Sequence, residues 1–92
     1  MKQYEALFII DPEKEASLKD VTEVIASTLK KNDVQISKED NWGKQKLTHP
    51  INKKKDGIYY KLEFSADPSK ISALNGAYKL NPDILRVMIT NK

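Results

Sequence analysis

The hydrophobic and polar positions of the chain follow two periods, one typical of strands and one typical of helices. Residues 4–10 are rich in β-branched and aromatic side chains and end at Asp11-Pro12, where proline interrupts a strand. Residues 85–90 place Val87 and Ile89 on one side and their neighbours on the other, as a strand does. Between about residues 14 and 31 the apolar positions recur at spacings of three and four, which predicts an amphipathic helix with a buried stripe of Leu18, Val21, Ile25 and Leu29.

The middle of the chain is predicted to form a β-hairpin with a basic tip. Val34 and Ile36 alternate with polar residues, and a loop or a second extended segment is expected over residues 42–51. Residues 58–64 alternate apolar and polar side chains in the same way. Residues 53–57 lie between these segments, and their sequence KKKDG predicts a turn with Asp-Gly as its tightest element.

A second helix is predicted to begin at Asp67-Pro68, since Asp67 can cap the helix and proline suits its first position. It is expected to bury Ile71, Leu74 and Tyr78 and to end by Asn81-Pro82. The order strand, helix, strand, strand, helix, strand predicts an α+β fold of the ferredoxin-like split βαβ type. This fold is a four-stranded antiparallel sheet with two helices on one face, and we expect residues 1–92 to form one such domain.

The second face of this sheet has no helix to cover it. Alternation along the strands assigns nine residues to the helix-covered face, namely Ala6, Phe8, Ile10, Ile58, Tyr60, Leu62, Phe64, Val87 and Ile89. The same alternation puts Glu63 and Arg86 on the uncovered face, together with a set predicted to contact a protein partner: Leu7, Ile9, Tyr59, Lys61 and Met88. Exposed apolar groups beside charges are typical of docking surfaces.

Length and composition exclude several classes of function. A chain of 92 residues has a thin core and little room for a deep catalytic pocket, so its function is expected on a surface. The chain has no cysteine and one histidine, which argues against a metal site, and we expect no metal, no other cofactor and no small-molecule substrate. No apolar run approaches the roughly 20 residues of a membrane span, so no membrane association and a cytoplasmic location are expected.

The charge of the chain is unevenly distributed. Residues 1–40 carry six basic and nine acidic side chains, a net charge of −3, whereas residues 41–92 carry ten basic and four acidic ones, a net charge of +6. A basic half and a sequence pI near 9.1 favour a polyanionic partner, because lysines that neutralise phosphates release condensed counterions. A lysine-rich soluble surface would have the same composition.

Four segments of the chain resemble the bacterial small-subunit ribosomal protein six family at corresponding places. They are residues 2–5 (KQYE), 42–51 (WGKQKLTHPI), 57–60 (GIYY) and 84–89 (ILRVMI). The resemblance implies a ferredoxin-like fold, no catalytic activity, and a place beside central-domain small-subunit rRNA together with small-subunit ribosomal protein eighteen. Family members usually have arginine at the positions of Lys2, Lys44 and Lys46, and many carry a charged C-terminal extension beyond the position of Lys92, whose role is not carried over.

Ten residues are candidate RNA contacts, each with a structural alternative. Lysines bordering the hairpin can follow a phosphate backbone, and neighbouring aromatic rings can stack on unpaired bases. These candidates are Lys44, Lys46, Lys53, Lys54 and Lys55, with Trp42 and His49. The alternatives are a solvated hairpin tip for the lysines, packing for Trp42 and a loop position for His49. Lys2 and Arg86, on neighbouring strands, are predicted to form a second basic patch, where Tyr4 offers either a stacking face or core packing.

Three other functions fit the same order of elements. An RNA-recognition domain matches poorly, because Lys61 and Glu63 occupy positions where stacked bases would lie. An acylphosphatase-like enzyme would need a glycine-rich anion cradle after the first strand, where residues 11–13 (DPE) would repel a phosphate. A regulatory dimerisation domain that senses a ligand is the strongest alternative without RNA, and self-association in the absence of RNA would reveal it.

Overall fold

A computed structural model describes residues 2–51 and 53–91 and confirms the predicted fold class. Four strands form one antiparallel sheet in the order β2-β3-β1-β4, so that β1 and β3 are central. Each helix is preceded by one short 3-10 segment, Pro12–Ser17 or Pro68–Lys70. The elements are β1 (Lys2–Ile10), α1 (Leu18–Lys31), β2 (Gln35–Ile51), β3 (Lys54–Ala66), α2 (Ile71–Lys79) and β4 (Ile84–Asn91).

An aspartate begins each helical segment: Asp67 does so as predicted, whereas Asp11 was predicted only to end the first strand. The Asp11 carboxylate accepts a hydrogen bond from the backbone N–H of Glu13 at 3.0 Å, and Asp67 accepts one from the N–H of Ser69 at 3.0 Å. The bonds from Ser69 favour the charged form and hold the pKa of the Asp67 carboxyl below its usual value. A proline follows each aspartate, since the first turn of a helix needs no N–H there.

The core lies between the two helices and the predicted covered face of the sheet. From α1 it receives Val21, Ile25 and Leu29, all buried, while α2 contributes Leu74 and Tyr78. The Tyr78 hydroxyl donates a hydrogen bond of 2.8 Å to the Ile25 carbonyl, which joins the two helices inside the core. Burial of this phenol raises its pKa well above the ordinary tyrosine value. All nine residues predicted for this face belong to the core or pack against it.

The edge strand β2 is long and irregular. It spans 17 residues and shifts register against β3 at three places, between Ile36 and Lys38, between Asn41 and Gly43, and between Lys46 and Ile51. At the third shift, residues 47–50 oppose Lys55 alone. Such bulges twist a strand and re-aim its side chains, and on an edge strand they also hinder pairing with another chain.

The predicted turn at residues 53–57 is wrong in its position. Lys53 lies at the tip with a φ of 66°, but Asp56 and Gly57 lie inside β3, opposite Lys46 and Gln45. A Cβ added at Gly57 would stand 2.4 Å from Cγ2 of Ile9 on the next strand. The glycine is therefore required by a close approach within the sheet, not by a turn.

Candidate functional site

The uncovered face of the sheet, called the open face below, divides into two halves. Antiparallel partners point to the same side, so Leu7 lies beside Met88, and Ile9 lies beside both Tyr59 and Arg86. The apolar half consists of Leu7, Ile9, Leu47, Tyr59 and Met88. The charged half consists of Glu5, Lys38, Asp40, Lys61 and Glu63, which lie nearer the opposite end of the same strands.

A groove of about 280 Å³ runs through the apolar half. Its floor is formed by side chains of the central strands β1 and β3, and Arg86 and Met88 on β4 line one side. The end of β2, where four residues oppose one on β3, supplies the remaining lining residues: Leu47, Thr48, His49, Pro50 and Ile51. The third bulge of β2 therefore makes a concave site from what a regular sheet would leave flat.

The charged groups at this groove are basic. Arg86 is exposed and forms no ion pair with any residue in the described ranges 2–51 and 53–91. His49 is also exposed, and no acidic residue is among those that line the groove. The groove thus combines an apolar floor with one cationic side chain, Arg86, at its rim, which suits a ligand that carries both an apolar group and a negative charge.

The lysines of the charged half form ion pairs within the chain. Lys61 Nζ lies 2.7 Å from a carboxylate oxygen of Glu5. Lys38 Nζ lies 3.7 Å from Asp40 and 4.0 Å from Glu63, which is buried although it is charged. Both lysines of this half thus lie within 4.0 Å of a carboxylate, so they are less available to a partner than Arg86 at the groove.

Trp42 covers the boundary between the two halves. Its ring stacks on Tyr59 with 6.2 Å between ring centroids and 16° between ring planes, and Lys61 Nζ lies 5.8 Å from the centre of the Trp42 ring. The side chain remains 48% exposed. Two roles were left open for Trp42, stacking on a base and packing within the protein. The structure shows the packing contact, and nearly half of the Trp42 surface remains accessible to a partner.

The second bulge of β2 separates Trp42 from the lysines that follow it. Gly43 adopts a φ of 77°, a left-handed conformation that favours glycine, and its N–H binds the Asn41 side chain at 2.9 Å. After this bulge, Lys44 pairs with Ile58 and Lys46 with Asp56, both on the covered side of the sheet. Trp42 and the two lysines therefore occupy opposite sides of the sheet edge.

The three lysines of the hairpin tip differ in their contacts. Lys54 Nζ lies 2.9 Å from Glu13 and 3.8 Å from Asp11, so it holds the hairpin against the segment that precedes α1. The hydrogen bond that Lys54 donates to the Glu13 carboxylate raises the pKa of the Lys54 ammonium. Lys53 and Lys55 are exposed and have no ion-pair partner within the described residues. Of the three, Lys54 is the least available to a phosphate.

The predicted second basic patch is wrong. In the antiparallel register Arg86 lies opposite Ile9, whereas Lys2 lies at the far end of β1, beyond the pair of Tyr4 with Asn91. Tyr4 is 6% exposed and stacks on Phe64 at 5.9 Å, so its ring packs in the core and has no free face for a base. Lys2 is exposed and isolated from Arg86.

Sequence reasoning missed the part of β2 that closes the groove. Leu47 is 7% exposed and sits over Gly57, and neither it nor Ile51 was assigned to the open face. Leu47 and Ile51 are apolar residues in a segment that is otherwise mostly polar, and this feature could have predicted that they are at least partly buried. His49 and Arg86 were assigned to RNA, yet the structure brings both to the groove with the predicted partner residues.

Residues 2–51 and 53–91 contain neither a cluster of metal-binding side chains nor a membrane-spanning helix. No group of three acidic, histidine or cysteine side chains there is arranged to hold a metal ion. In the same part of the chain, neither helix has the length and apolar character of a membrane span.

Comparisons with known proteins place these features in a family. A model of the family described as ribosomal protein S6 matches residues 3–91. Small ribosomal subunit protein bS6 of Desulforamulus reducens is 38% identical over 90 residues, which cover 97% of this chain and 95% of that protein. The bS6 protein of Streptomyces griseus is 31% identical over 90 residues, which cover 97% of this chain and 94% of that protein.

Two solved structures share the fold. The 30S ribosomal protein S6 from Thermotoga maritima superposes with a TM-score of 0.92 at 25% identity, covering 99% of this chain and 87% of that chain. The C-terminal domain of the MgtC protein from Mycobacterium tuberculosis superposes with a TM-score of 0.66 at 15% identity, covering 100% of this chain and 88% of that chain. The latter likeness concerns the fold alone.

Proposed function

The chain belongs to the ribosomal protein S6 family, and on that premise we propose that it binds small-subunit ribosomal RNA through lysines of the β2–β3 hairpin and a protein neighbour through its open face. The family itself makes the chain a component of the small ribosomal subunit in the bacterial cytoplasm, and not an enzyme. The finer proposal names the central domain of the RNA and small-subunit ribosomal protein eighteen as the neighbour.

The observation that carries the RNA proposal is a set of exposed, unpaired lysines on one hairpin. Lys44 and Lys46 project from the edge strand, and Lys53 and Lys55 lie at the tip, none of them in an ion pair within the described residues. A lysine without a carboxylate partner keeps its full charge for a phosphate, and such contacts follow the RNA backbone with little demand on base sequence.

The protein partner is proposed for the apolar half of the open face. Met88 remains 38% exposed on a face that neither of the two described helices covers, and the floor of the groove beside it is apolar, with Leu7, Ile9 and Tyr59. Apolar surface of this kind gains most from a partner that removes it from water. Placing the protein there and the RNA at the sheet edge gives each its own surface.

A salt series of RNA binding tests the RNA proposal. The purified chain, with and without protein eighteen, is titrated with central-domain small-subunit RNA between about 50 and 200 mM salt. We expect affinity to fall steeply with salt, and the double variant Lys44→Gln/Lys46→Gln to bind more weakly with a slope reduced by about 2, since each lysine on a phosphate contributes about one unit.

The matched control is Lys19→Gln, which removes an exposed lysine from α1 and should leave the slope unchanged. Equal slopes for the double variant and the wild type would contradict the assignment of the two lysines. No RNA binding with the partner present, together with a stable homodimer, would instead favour the ligand-sensing dimerisation domain.

A further inference from the structure

We propose that the groove of the apolar half binds one segment of the protein partner in two parts, an aliphatic or aromatic side chain on its floor and a carboxylate on Arg86. Arg86 is then a residue of protein recognition, although its charge alone suggested RNA. This inference rests on the proposed docking of a protein on the open face, and it adds the chemistry that the docked segment must present.

Charge complementarity is the first argument. The residues that line the groove include one arginine and one histidine but no carboxylate, and the nearby acidic groups Glu5 and Glu63 belong to ion pairs of the charged half. An arginine with no partner in the described residues, standing next to apolar side chains, offers a planar fork of donors that matches a carboxylate. A partner without negative charge would leave this group unpaired on binding.

The shape and lining of the groove favour a peptide segment over an RNA base. Recognition of an unpaired base uses open aromatic faces, but the Tyr59 ring is already stacked on Trp42. Four further lining residues have aliphatic or methionine side chains, namely Leu7, Ile9, Leu47 and Met88. Such surfaces bind apolar side chains.

The size of the groove limits what it can take. Its volume of about 280 Å³ lies just below the roughly 300 to 1,000 Å³ of ordinary ligand pockets. One or two side chains fill such a space, which makes it an anchor point for a short segment instead of a seat for a folded domain. Arg86 beside this anchor would fix the direction in which the segment runs.

Calorimetric titration of the chain with purified protein eighteen, in the absence of RNA, tests the inference. Arg86→Gln keeps most of the side-chain length and removes the charge, and we expect it to weaken binding roughly 10- to 100-fold, the range for loss of a charged hydrogen bond. Met88→Ala should also weaken binding, while the control Lys19→Gln should stay within about twofold of the wild type.

The outcomes separate this inference from the proposed function. If wild-type chain and protein eighteen do not associate, the proposed docking fails and the inference falls with it. If they associate and Arg86→Gln binds as well as Lys19→Gln, the docking stands and the role of Arg86 is overturned. The same variant can be placed in the salt series of RNA binding. If Arg86→Gln binds the RNA more weakly but binds protein eighteen as the wild type does, Arg86 is an RNA contact and the inference is wrong.

A small probe tests the chemistry of the groove without the partner. In an NMR titration, 4-phenylbutyrate should shift the methyl resonances of Ile9 and Met88 and the Nε resonance of Arg86 in a saturable way. The uncharged 4-phenylbutyramide should produce smaller shifts, and Arg86→Gln should remove the difference between the two compounds. Shifts confined to the lysines of the hairpin, or no preference for the acid, would overturn the proposed carboxylate site.

Discussion

The two faces of the central sheet are built from the same strands but are completed in different ways. On the covered face, Phe8 and Leu62 are fully buried beneath both helices, and the core hydroxyl of Tyr78 has its hydrogen-bond acceptor. On the open face, the neighbouring residue Leu7 is only partly buried, and Met88 beside it is exposed. Consecutive side chains of one strand therefore differ: one is buried in the core, and the next lies on a face that remains partly exposed.

The open face also differs from end to end. Its charged half pairs Lys61 with Glu5 and Lys38 with Asp40, so its polar groups are satisfied within the chain. Its apolar half leaves Arg86 without a partner in the described residues beside a groove that the chain does not fill. The two halves thus differ in whether their charged groups have partners within the chain, and this difference is why the docking of a protein is proposed for the apolar half.

The largest expected effect concerns the covered face. Phe8→Ala should lower the free energy of unfolding by about 3–5 kcal/mol, because it removes a fully buried ring that contacts Tyr78 at 4.9 Å between centroids. Met88→Ala on the open face should lower it by less than about 1 kcal/mol. Urea unfolding followed by circular dichroism measures both, and similar losses would show that Met88 is part of the folding core.

A second pair of variants tests the floor of the groove. Gly57→Ala should destabilise the chain by about 1–3 kcal/mol, since the new Cβ would stand 2.4 Å from Cγ2 of Ile9 and 3.4 Å from Cδ2 of Leu47. Gly76→Ala in α2 meets no atom within 4 Å and should stabilise the chain by about 0.5–1 kcal/mol. Thermal melts of the two variants should therefore move in opposite directions.

If Gly57→Ala has the same melting temperature as the wild type, the side chains of Ile9 and Leu47 have moved to make room for the new Cβ. The shape of the groove should then differ from that of the wild type. Binding of protein eighteen would report that change, because both side chains line the apolar half. A stable Gly57→Ala variant with unchanged binding would contradict the geometry of the groove floor.

Much of the fold was predictable because its signals are local. The stripe of α1, the Asp67-Pro68 pair that begins the second helical segment, and the alternation along β1, β3 and β4 each depend on residues close in sequence. The long-range features were not predictable in this way. Gly57 is required by its close approach to Ile9, which lies on another strand, and the sequence KKKDG that contains this glycine fits a turn equally well.

The candidate site was predicted only in part for the same reason. A bulge at Gly43 reverses the alternation of side chains, so Lys44 and Lys46 lie on the side of the sheet opposite to Trp42. The local sequence does not predict this reversal. The separation of Lys2 from Arg86, in contrast, follows from antiparallel pairing alone, because the start of β4 must lie beside the end of β1. The sequence contained enough information to avoid that error.

The smallest expected effect concerns the charged half. Glu5 and Glu63 lie directly opposite each other on β1 and β3, and Lys61 lies 2.7 Å from Glu5. Lys61→Gln should therefore cost up to about 1 kcal/mol, part from the lost ion pair and part from the repulsion between two glutamates that it leaves behind.

Adding Glu5→Gln to Lys61→Gln removes that repulsion and should restore part of the loss, more so at low salt than at 1 M salt, where charges are screened. A double-mutant cycle by urea unfolding measures this coupling. If the double variant is less stable than Lys61→Gln at low salt, the lysine does not hold the carboxylates together. The charged half would then owe its stability to packing, and the contrast with the apolar half would lose its electrostatic basis.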